Sequence, residues 1–338
     1  MKKVFIAVSP GFYKTNLFNE LIKKEDILVV YTGSYDKRTR NSDFFKGEKR
    51  FDYITFSGTR VKRLFRVLYF LISISYKEII IGGYDNVFCW VPLLVTSKKK
   101  CSLIVESTFR ETVTHGLRHF LKKIFISRLS RVYAPGTPHA KLVKELGFTG
   151  EIRYIKSVGL INIVPQPSYS RRNHVQDFLF VGRLIPEKNL SWLISIFKKH
   201  LDLKLTIVGF GEQEQYLKSL ATTDNIIFIG AVDNMKLPCF YQQADVFILP
   251  SITETWGLVV EEALNNGTPV MCSHMVGCAD DLVIERKSGV VFQLNNENDF
   301  EEKLKDICNV EKYNMYRRNV SMMSFEKHKS SVVDAFVN

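Results

Sequence analysis

The chain has 338 residues, of which 46% are hydrophobic, and it carries a formal net charge of +12. This length is sufficient for two domains that each bury a core. The positive charge would suit nucleic acid, but the chain has no zinc-finger or RNP pattern, so we expect no nucleic-acid partner. Its six cysteines show no C-x-x-C spacing, which argues against a zinc site and favours reduced thiols in a cytoplasmic protein.

The first half of the chain alternates short apolar runs with helical patterns. Residues 4–8, 27–31, 78–81, 102–105 and 132–134 read as strands, which predicts a parallel α/β sheet. Turns follow three of these strands, at 9–11, at 82–85 and at Glu106. Gly11 allows close approach of a ligand to the backbone, and 82–85 is a plain turn or lines an acceptor site. Glu106 either caps the next turn or contacts a ligand.

Charge is concentrated in this half. Residues 1–160 contain 29 Lys and Arg against 13 Asp and Glu, a net charge of +16, and the remainder carries −4. Two segments, 60–75 and 116–131, join basic residues to apolar residues, and in the second Leu117, Phe120 and Ile124 share a helical face. That pattern predicts either a helix lying on an anionic membrane or a surface helix packed on its own sheet. Neither segment has the roughly 20 apolar residues that would span a bilayer.

The second half places charged residues directly after buried strands. Strand 178–181 ends at Gly182, and Arg183 and Lys188 follow it, a fork and a point charge that together suit a diphosphate. A G-x-G at Gly209 and Gly211 follows the next strand and is weak evidence by itself.

The most informative segment follows the apolar run 244–250. Glu254 lies in a polar turn, a helix pattern begins near Leu258, and Glu262 follows. Eight helical residues advance about 12 Å, so the two carboxylates are too far apart for an acid/base pair and should touch different ends of a long ligand. A helix start favours phosphate, and carboxylates accept hydrogen bonds from sugar hydroxyls. The pattern therefore predicts a nucleotide-sugar site, against the plainer interpretation of a βα unit with a charged helix face.

These motifs, in this order over residues 176–292, resemble the carboxyl-terminal half of family 4 retaining glycosyltransferases. The resemblance implies an α/β fold of the GT-B type, with two Rossmann-like domains facing across a donor/acceptor cleft. It implies a domain at 1–165, a nucleotide-sugar-binding domain at 176–318, and a last helix within 319–338 that crosses back to the first domain.

The resemblance also assigns roles to residues. Arg183 and Lys188 hold the donor diphosphate, Glu254 contacts the sugar, and Glu262 binds the ribose. Arg183, Lys188 and Glu254 are the catalytic candidates. Backbone amides near Trp256, Gly257 and Leu258 lie where relatives bind the diphosphate, and Gly11 occupies the place of a glycine loop that faces it. Glu106 stands where many relatives carry a histidine, and Glu261 is expected to be a solvated helix residue.

The expected activity is that of a hexosyltransferase with retention of configuration and no cofactor. No metal is expected, since two cations neutralise the diphosphate and the chain has no clean D-x-D. UDP is the favoured nucleotide. The acceptor is expected to be a lipid-pyrophosphate-linked or polysaccharide glycan in lipopolysaccharide, O-antigen or capsule assembly, at the cytoplasmic face of the membrane. A GT-B nucleotide-sugar epimerase and a non-catalytic sugar-nucleotide-binding subunit are the alternatives.

Overall fold

The structure is a computed structural model that describes residues 1–8, 10–33, 42–84, 86–110, 112 and 116–337. It divides into unit 1, comprising Met1–Leu160 and Lys327–Asn338, and unit 2, comprising Ile161–Glu326. Ser9 and Asp85, which belong to two of the turns noted in the sequence, lie outside the described residues. In the described part of the chain, no helix is both long and apolar enough to cross a membrane.

Unit 1 is a seven-stranded parallel sheet in the order β3-β2-β1-β4-β5-β6-β7. Its elements are β1 (Lys2–Ala7), α1 (Phe12–Leu21), β2 (Ile27–Tyr31), β3 (Asp52–Thr55), α2 (Arg60–Ser73), β4 (Tyr76–Gly82), α3 (Val91–Val95), β5 (Cys101–Ile104), α4 (Gly116–Ser127), β6 (Arg131–Ala134), α5 (Thr137–Glu145) and β7 (Glu151–Tyr154).

Unit 2 is a six-stranded parallel sheet in the order β10-β9-β8-β11-β12-β13. Its elements are β8 (Asp177–Val181), α6 (Leu190–Phe197), β9 (Lys204–Val208), α7 (Glu214–Leu220), β10 (Ile226–Gly230), α8 (Leu237–Gln243), β11 (Val246–Leu249), α9 (Leu258–Asn265), β12 (Val270–Ser273), β13 (Gly289–Phe292), α10 (Glu297–Cys308) and α11 (Val310–Ser321). The last helix, α12 (Phe325–Val337), follows it.

Strand β1 shows why these runs form a sheet covered on both faces. Successive side chains of a strand point to opposite faces, and Val4 and Ile6 join the core beneath α2, α4 and α5 while Phe5 joins the core beneath α1 and α12. All three side chains are at most 2% exposed. An uninterrupted apolar run is therefore what a strand of a two-sided parallel sheet requires.

Helix α12 packs on unit 1. The ring of Phe336 stacks on that of Tyr133 with centroids 4.6 Å apart, and Val332 lies in the same core. The Lys3 ammonium donates to the Phe336 carbonyl. The sequence placed the change of domain at 165–176 and a last helix after 318, whereas the structure passes between units after Leu160 and again after Glu326.

Two parallel, doubly wound sheets confirm the predicted pair of Rossmann-like domains. Strands β3 and β7 were not identified in the sequence. Both lie at edges of the sheet of unit 1, and their residues are exposed or half-buried. An edge strand can carry polar residues on its open side, so it lacks the continuous apolar run that marks the inner strands.

Candidate functional site

The sheet order of unit 2 determines where its ligand site lies. In the sheet, β9 lies beside β8 and β10 lies beside β9, so the first three strands are added on one side. The chain then returns to β8, and β11 is added on its other side. Open α/β sheets bind ligands at the carboxyl ends of the strands where the order reverses. The loops that follow β8 and β11 leave the sheet at this point, and the backbone N–H of Ile252 donates to the Glu187 carbonyl at 2.8 Å to join them.

Lys188 and Glu254 meet at this reversal. The Lys188 ammonium forms an ion pair with the Glu254 carboxylate, and the two side chains are only 12% and 18% exposed. The backbone of Glu254 is held in place by two interactions. Its carbonyl accepts a hydrogen bond from the Gly277 N–H at 2.9 Å, and it forms a β-bridge with Val276. The predicted diphosphate and sugar contacts are thus neighbours in the site.

Arg183 is half-buried on the loop after β8. The G-x-G after β9 packs directly against the backbone of that loop. A Cβ on Gly209 would lie 1.8 Å from the Gly182 carbonyl oxygen, and Gly209 has a φ of +142°. A Cβ on Gly211 would lie 2.3 Å from the carbonyl oxygen of Leu184. Both glycines are therefore needed for the two loops to approach each other, a structural role that the G-x-G spacing alone did not reveal.

Glu262 is oriented by a residue that the sequence did not single out. The Tyr241 hydroxyl, on α8, donates to a carboxylate oxygen of Glu262 at 2.9 Å. Burial, followed by the negative charge of Glu262, raises the pKa of Tyr241 well above its usual value, so the hydroxyl stays protonated and remains a donor. Tyr241 is 21 residues away from Glu262 in sequence, and the packing of α8 on α9 creates the contact.

The start of α9 has the backbone form of an anion site. Gly257 is its N-cap, with a φ of +102° and no side-chain cap, and Leu258 is the first helical residue. The first N–H groups of a helix have no partner within the helix, so they are available to an anion. Trp256 is 1% exposed as a whole residue, so its backbone and its side chain are both buried beside the helix start.

Two expectations about this segment were wrong. Glu261 is not solvated: it is 1% exposed, and its carboxylate accepts from the Trp256 indole N–H. The rise of about 12 Å between Glu254 and Glu262 assumed a helix over all eight residues, but α9 begins at Leu258 and Glu254 lies in an extended bridge.

In unit 1, Glu106 follows β5 and pairs with Lys14 of α1, with 2.5 Å between ammonium and carboxylate. It therefore has a charged partner, which was not among the interpretations of the sequence. Gly11 is the N-cap of α1 and is buried, and a Cβ there would meet the Tyr13 ring at 2.8 Å. A larger residue at this position would require the Tyr13 ring to move.

The structure places Gly11 and Glu106 in unit 1 and Arg183, Lys188, Trp256, Gly257, Leu258 and Glu262 in unit 2 with Glu254. Within the described ranges, no three His, Cys, Asp or Glu side chains are grouped as a metal site requires.

Comparison with known proteins identifies glycosyltransferases as relatives of this chain. Residues 167–321 match the family model described as glycosyl transferases group 1. An uncharacterized glycosyltransferase of Methanocaldococcus jannaschii is 36% identical in an alignment of 121 residues that covers 32% of this chain and 31% of that protein. The chain spans between 24% and 38% of the length of the first five curated relatives that it matches.

Solved structures resemble the chain over its whole length. The apo form of the lipopolysaccharide outer core galactosyltransferase WaaB is 17% identical, with a TM-score of 0.73 and 99% of each chain covered. Anabaena HepE in complex with UDP is 14% identical, with a TM-score of 0.72 and 99% of each chain covered. At these identities the likeness defines the fold, which is GT-B.

Proposed function

We propose that the protein is a retaining glycosyltransferase that uses a nucleotide-sugar donor, because residues 167–321 match the family model of glycosyl transferases group 1. The observation that carries the proposal is the cluster at the strand reversal of unit 2. There a lysine, a glutamate and an uncapped helix start share one edge of the sheet. A second carboxylate, Glu262, lies farther along the same helix and is held by a buried tyrosine.

Each group suits one part of such a donor. Arg183 and Lys188 and the amides of Gly257 and Leu258 bind the diphosphate, since cations and a helix start favour phosphate oxygens. Glu262 accepts hydrogen bonds from the ribose hydroxyls, and Glu254 accepts them from the sugar. UDP is the proposed nucleotide, which is supported by the UDP complex of the structurally similar HepE.

The chemistry proposed for these residues is electrostatic. When the bond between the sugar and the diphosphate breaks, negative charge grows on the leaving diphosphate, and Arg183 and Lys188 stabilise it. The acceptor attacks from the face that the diphosphate leaves, and a diphosphate oxygen takes its proton, so the configuration at the sugar carbon is retained. Two cations do the neutralising, and we propose that the reaction needs no metal.

The acceptor is proposed to be a lipid-linked or polysaccharide glycan at an anionic membrane, as in lipopolysaccharide, O-antigen or capsule assembly. Supporting this are exposed apolar side chains on helices α2 and α4, which contribute to the same core of unit 1. On α2, Phe65, Tyr69 and Ile72 are 65%, 70% and 63% exposed, and on α4, Leu117 and Phe120 are 72% and 59% exposed. A helix that only covers its own sheet would bury such residues, whereas a helix lying on a membrane would not. Arg66 and Arg118 on the same helices supply attraction to anionic lipid.

The experiment that tests the proposal is a panel of UDP- and GDP-sugars measured for saturable binding and for slow hydrolysis, with and without EDTA. We expect one donor to bind and to release free sugar of unchanged anomeric configuration, equally fast in EDTA. Abolition by EDTA would contradict the metal-independent mechanism. Epimerised nucleotide sugar as the product would contradict the assignment as a transferase.

A further inference from the structure

Unit 1 contains a cavity of about 530 Å³ at its own strand reversal. Its walls include residues that follow β1, β2, β4 and β5, and β1 and β4 are the neighbours at which the order of the sheet turns back. Sheets of this kind bind ligands at that edge. Every described residue that lines the cavity belongs to unit 1.

Two arginines line this cavity without a carboxylate partner among the residues that the structure describes. Arg60 is exposed, and no hydrogen bond or ion pair joins it to another described residue. Arg63 donates from a terminal nitrogen to the Thr32 carbonyl at 3.1 Å, but its Nε is buried and has no hydrogen-bond partner in the described structure. Among the described lining residues Glu106 is the one carboxylate, and it is paired with Lys14. The cavity therefore holds positive charge that the described part of unit 1 does not neutralise.

Both arginines lie at the amino-terminal end of α2. Arg60 is the first residue of α2 and Arg63 lies one turn on, and the first turn contains no acidic residue. The positive end of the helix dipole disfavours cations at this place. A bound anion would remove this unfavourable interaction, because the helix dipole and both guanidinium groups attract negative charge.

We infer that the unit 1 cavity binds the phosphate or diphosphate group of the acceptor, with Arg60 and Arg63 as its ligands. The inference rests on the proposed function, because it assigns a site in unit 1 to the acceptor of that reaction. It names the chemical class of the acceptor: a glycan or lipid that carries phosphate.

The same helix indicates how a lipid would continue from this site. Val61, Phe65, Tyr69 and Ile72 recur at helical spacing along the exposed side of α2, beginning next to Arg60. A diphosphate held at the start of the helix would leave an attached hydrocarbon chain free to lie along this stripe. A soluble sugar phosphate would use the cavity alone.

The test is calorimetric titration of the full chain with inorganic pyrophosphate in a Lys188→Gln background, which disables the proposed donor diphosphate site. We expect Arg60→Gln and Arg63→Gln each to weaken pyrophosphate binding at least tenfold. Lys62→Gln is the matched control, because it removes the same charge from the same helical turn but does not line the cavity. We expect it to change binding less than twofold.

UDP titrations with Lys188 intact check folding and keep the two proposals apart. UDP affinity should be unchanged in Arg60→Gln and Arg63→Gln, and Arg63→Lys should retain part of the pyrophosphate binding. Loss of pyrophosphate binding to the same degree in Lys62→Gln, or no pyrophosphate binding at all, would overturn the inference. Failure of UDP to bind would overturn the proposed donor site and leave the pyrophosphate readout intact.

A parallel titration with farnesyl diphosphate in detergent distinguishes the two sources of the phosphate. Tighter binding than that of pyrophosphate, reduced by Phe65→Ser, assigns the site to a lipid diphosphate. Equal affinities that both depend on Arg60 assign it to a soluble phosphate-bearing acceptor. Affinities that do not depend on Arg60 would overturn the site for both.

Discussion

Lys188 and Glu254 form an ion pair across the loops that follow β8 and β11, with most of both side chains removed from solvent. The proposed donor requires the two groups to separate, because the ammonium is needed by the diphosphate and the carboxylate by the sugar. Each charge thus neutralises the other until a donor binds, when the diphosphate pairs with Lys188 and the sugar hydroxyls pair with Glu254. Removing one partner from a buried pair leaves the other charge uncompensated. Replacing Lys188 leaves a carboxylate that repels the diphosphate, whereas replacing Glu254 leaves an ammonium that attracts it, so the two substitutions should have different effects on the affinity for UDP.

Lys188→Gln should weaken binding of a nucleoside diphosphate. A hydrogen bond to a charged group contributes about 1.5–3 kcal/mol, so we expect a loss of roughly tenfold to a hundredfold for UDP. Uridine, which has no phosphate, should bind equally to both proteins. Lys199→Gln is the control, because Lys199 pairs with Glu297 on the surface. A uridine defect as large as the UDP defect would contradict the assignment of Lys188 to the diphosphate.

Tyr241→Phe should weaken nucleotide binding indirectly, because the lost hydroxyl orients Glu262 and is not itself a proposed ligand contact. The lost hydrogen bond contributes about 1 kcal/mol, so we expect UDP affinity to fall roughly threefold to tenfold. Tyr313→Phe is the matched control, because it removes another buried hydroxyl from unit 2, one that donates to the Asp245 carbonyl at 2.7 Å. If both variants lose stability equally and neither loses UDP affinity, Tyr241 does not position Glu262.

Gly209→Ala should destabilise unit 2 and disturb Arg183. Gly230→Ala is the control, because Gly230 also has a positive φ, +84°, but has no atom within 4 Å of its Cβ position. Both changes carry the backbone cost of a left-handed conformation, and only the first carries a clash with Gly182. Overpacking typically costs about 1–3 kcal/mol, and urea unfolding should show that difference. Equal unfolding free energies would mean that the loop after β8 moves away freely.

Membrane association should depend on the exposed face of α4. Flotation with anionic liposomes should recover the protein at low salt and less of it at high salt, because screening weakens the attraction of Arg118 and its neighbours to lipid. Replacing Leu117 and Phe120 by Ser removes about 1–2 kcal/mol of apolar burial for each side chain, so recovery should fall roughly tenfold or more. Tyr216→Ser, on an exposed site of unit 2, is the control. No binding at low salt would refute the membrane proposal.

The parts of the site that the sequence predicted are those in which local pattern and topology act together. Arg183, Lys188 and Glu254 each follow a buried apolar run, and parallel strands deliver such residues to one edge of a sheet. The resemblance to glycosyltransferases is confirmed by the match of residues 167–321 to the group 1 family model. The structure also brings Lys188 and Glu254 into contact, which follows from β8 and β11 being neighbours despite the distance between them in the chain.

The parts that the sequence did not predict depend on packing between distant residues. Tyr241 reaches Glu262 only because α8 lies against α9, and Arg63 reaches the cavity only because α2 begins beside the carboxyl end of β4. Glu261 was misassigned because a carboxylate in a helix is usually solvated, and nothing in its spacing reveals the indole of Trp256 as its partner.

We propose that Glu254 and Glu262 hold opposite ends of one donor, and paired titrations of bare UDP and of the preferred UDP-sugar measure whether they do. Glu262→Gln should weaken both ligands alike, because the ribose is common to them. Glu254→Gln should bind bare UDP as tightly as the parent or more tightly, because Lys188 is released to the diphosphate, while binding and turnover of the UDP-sugar fall. Equal losses of bare UDP affinity in the two variants would contradict this division between the ends of the donor.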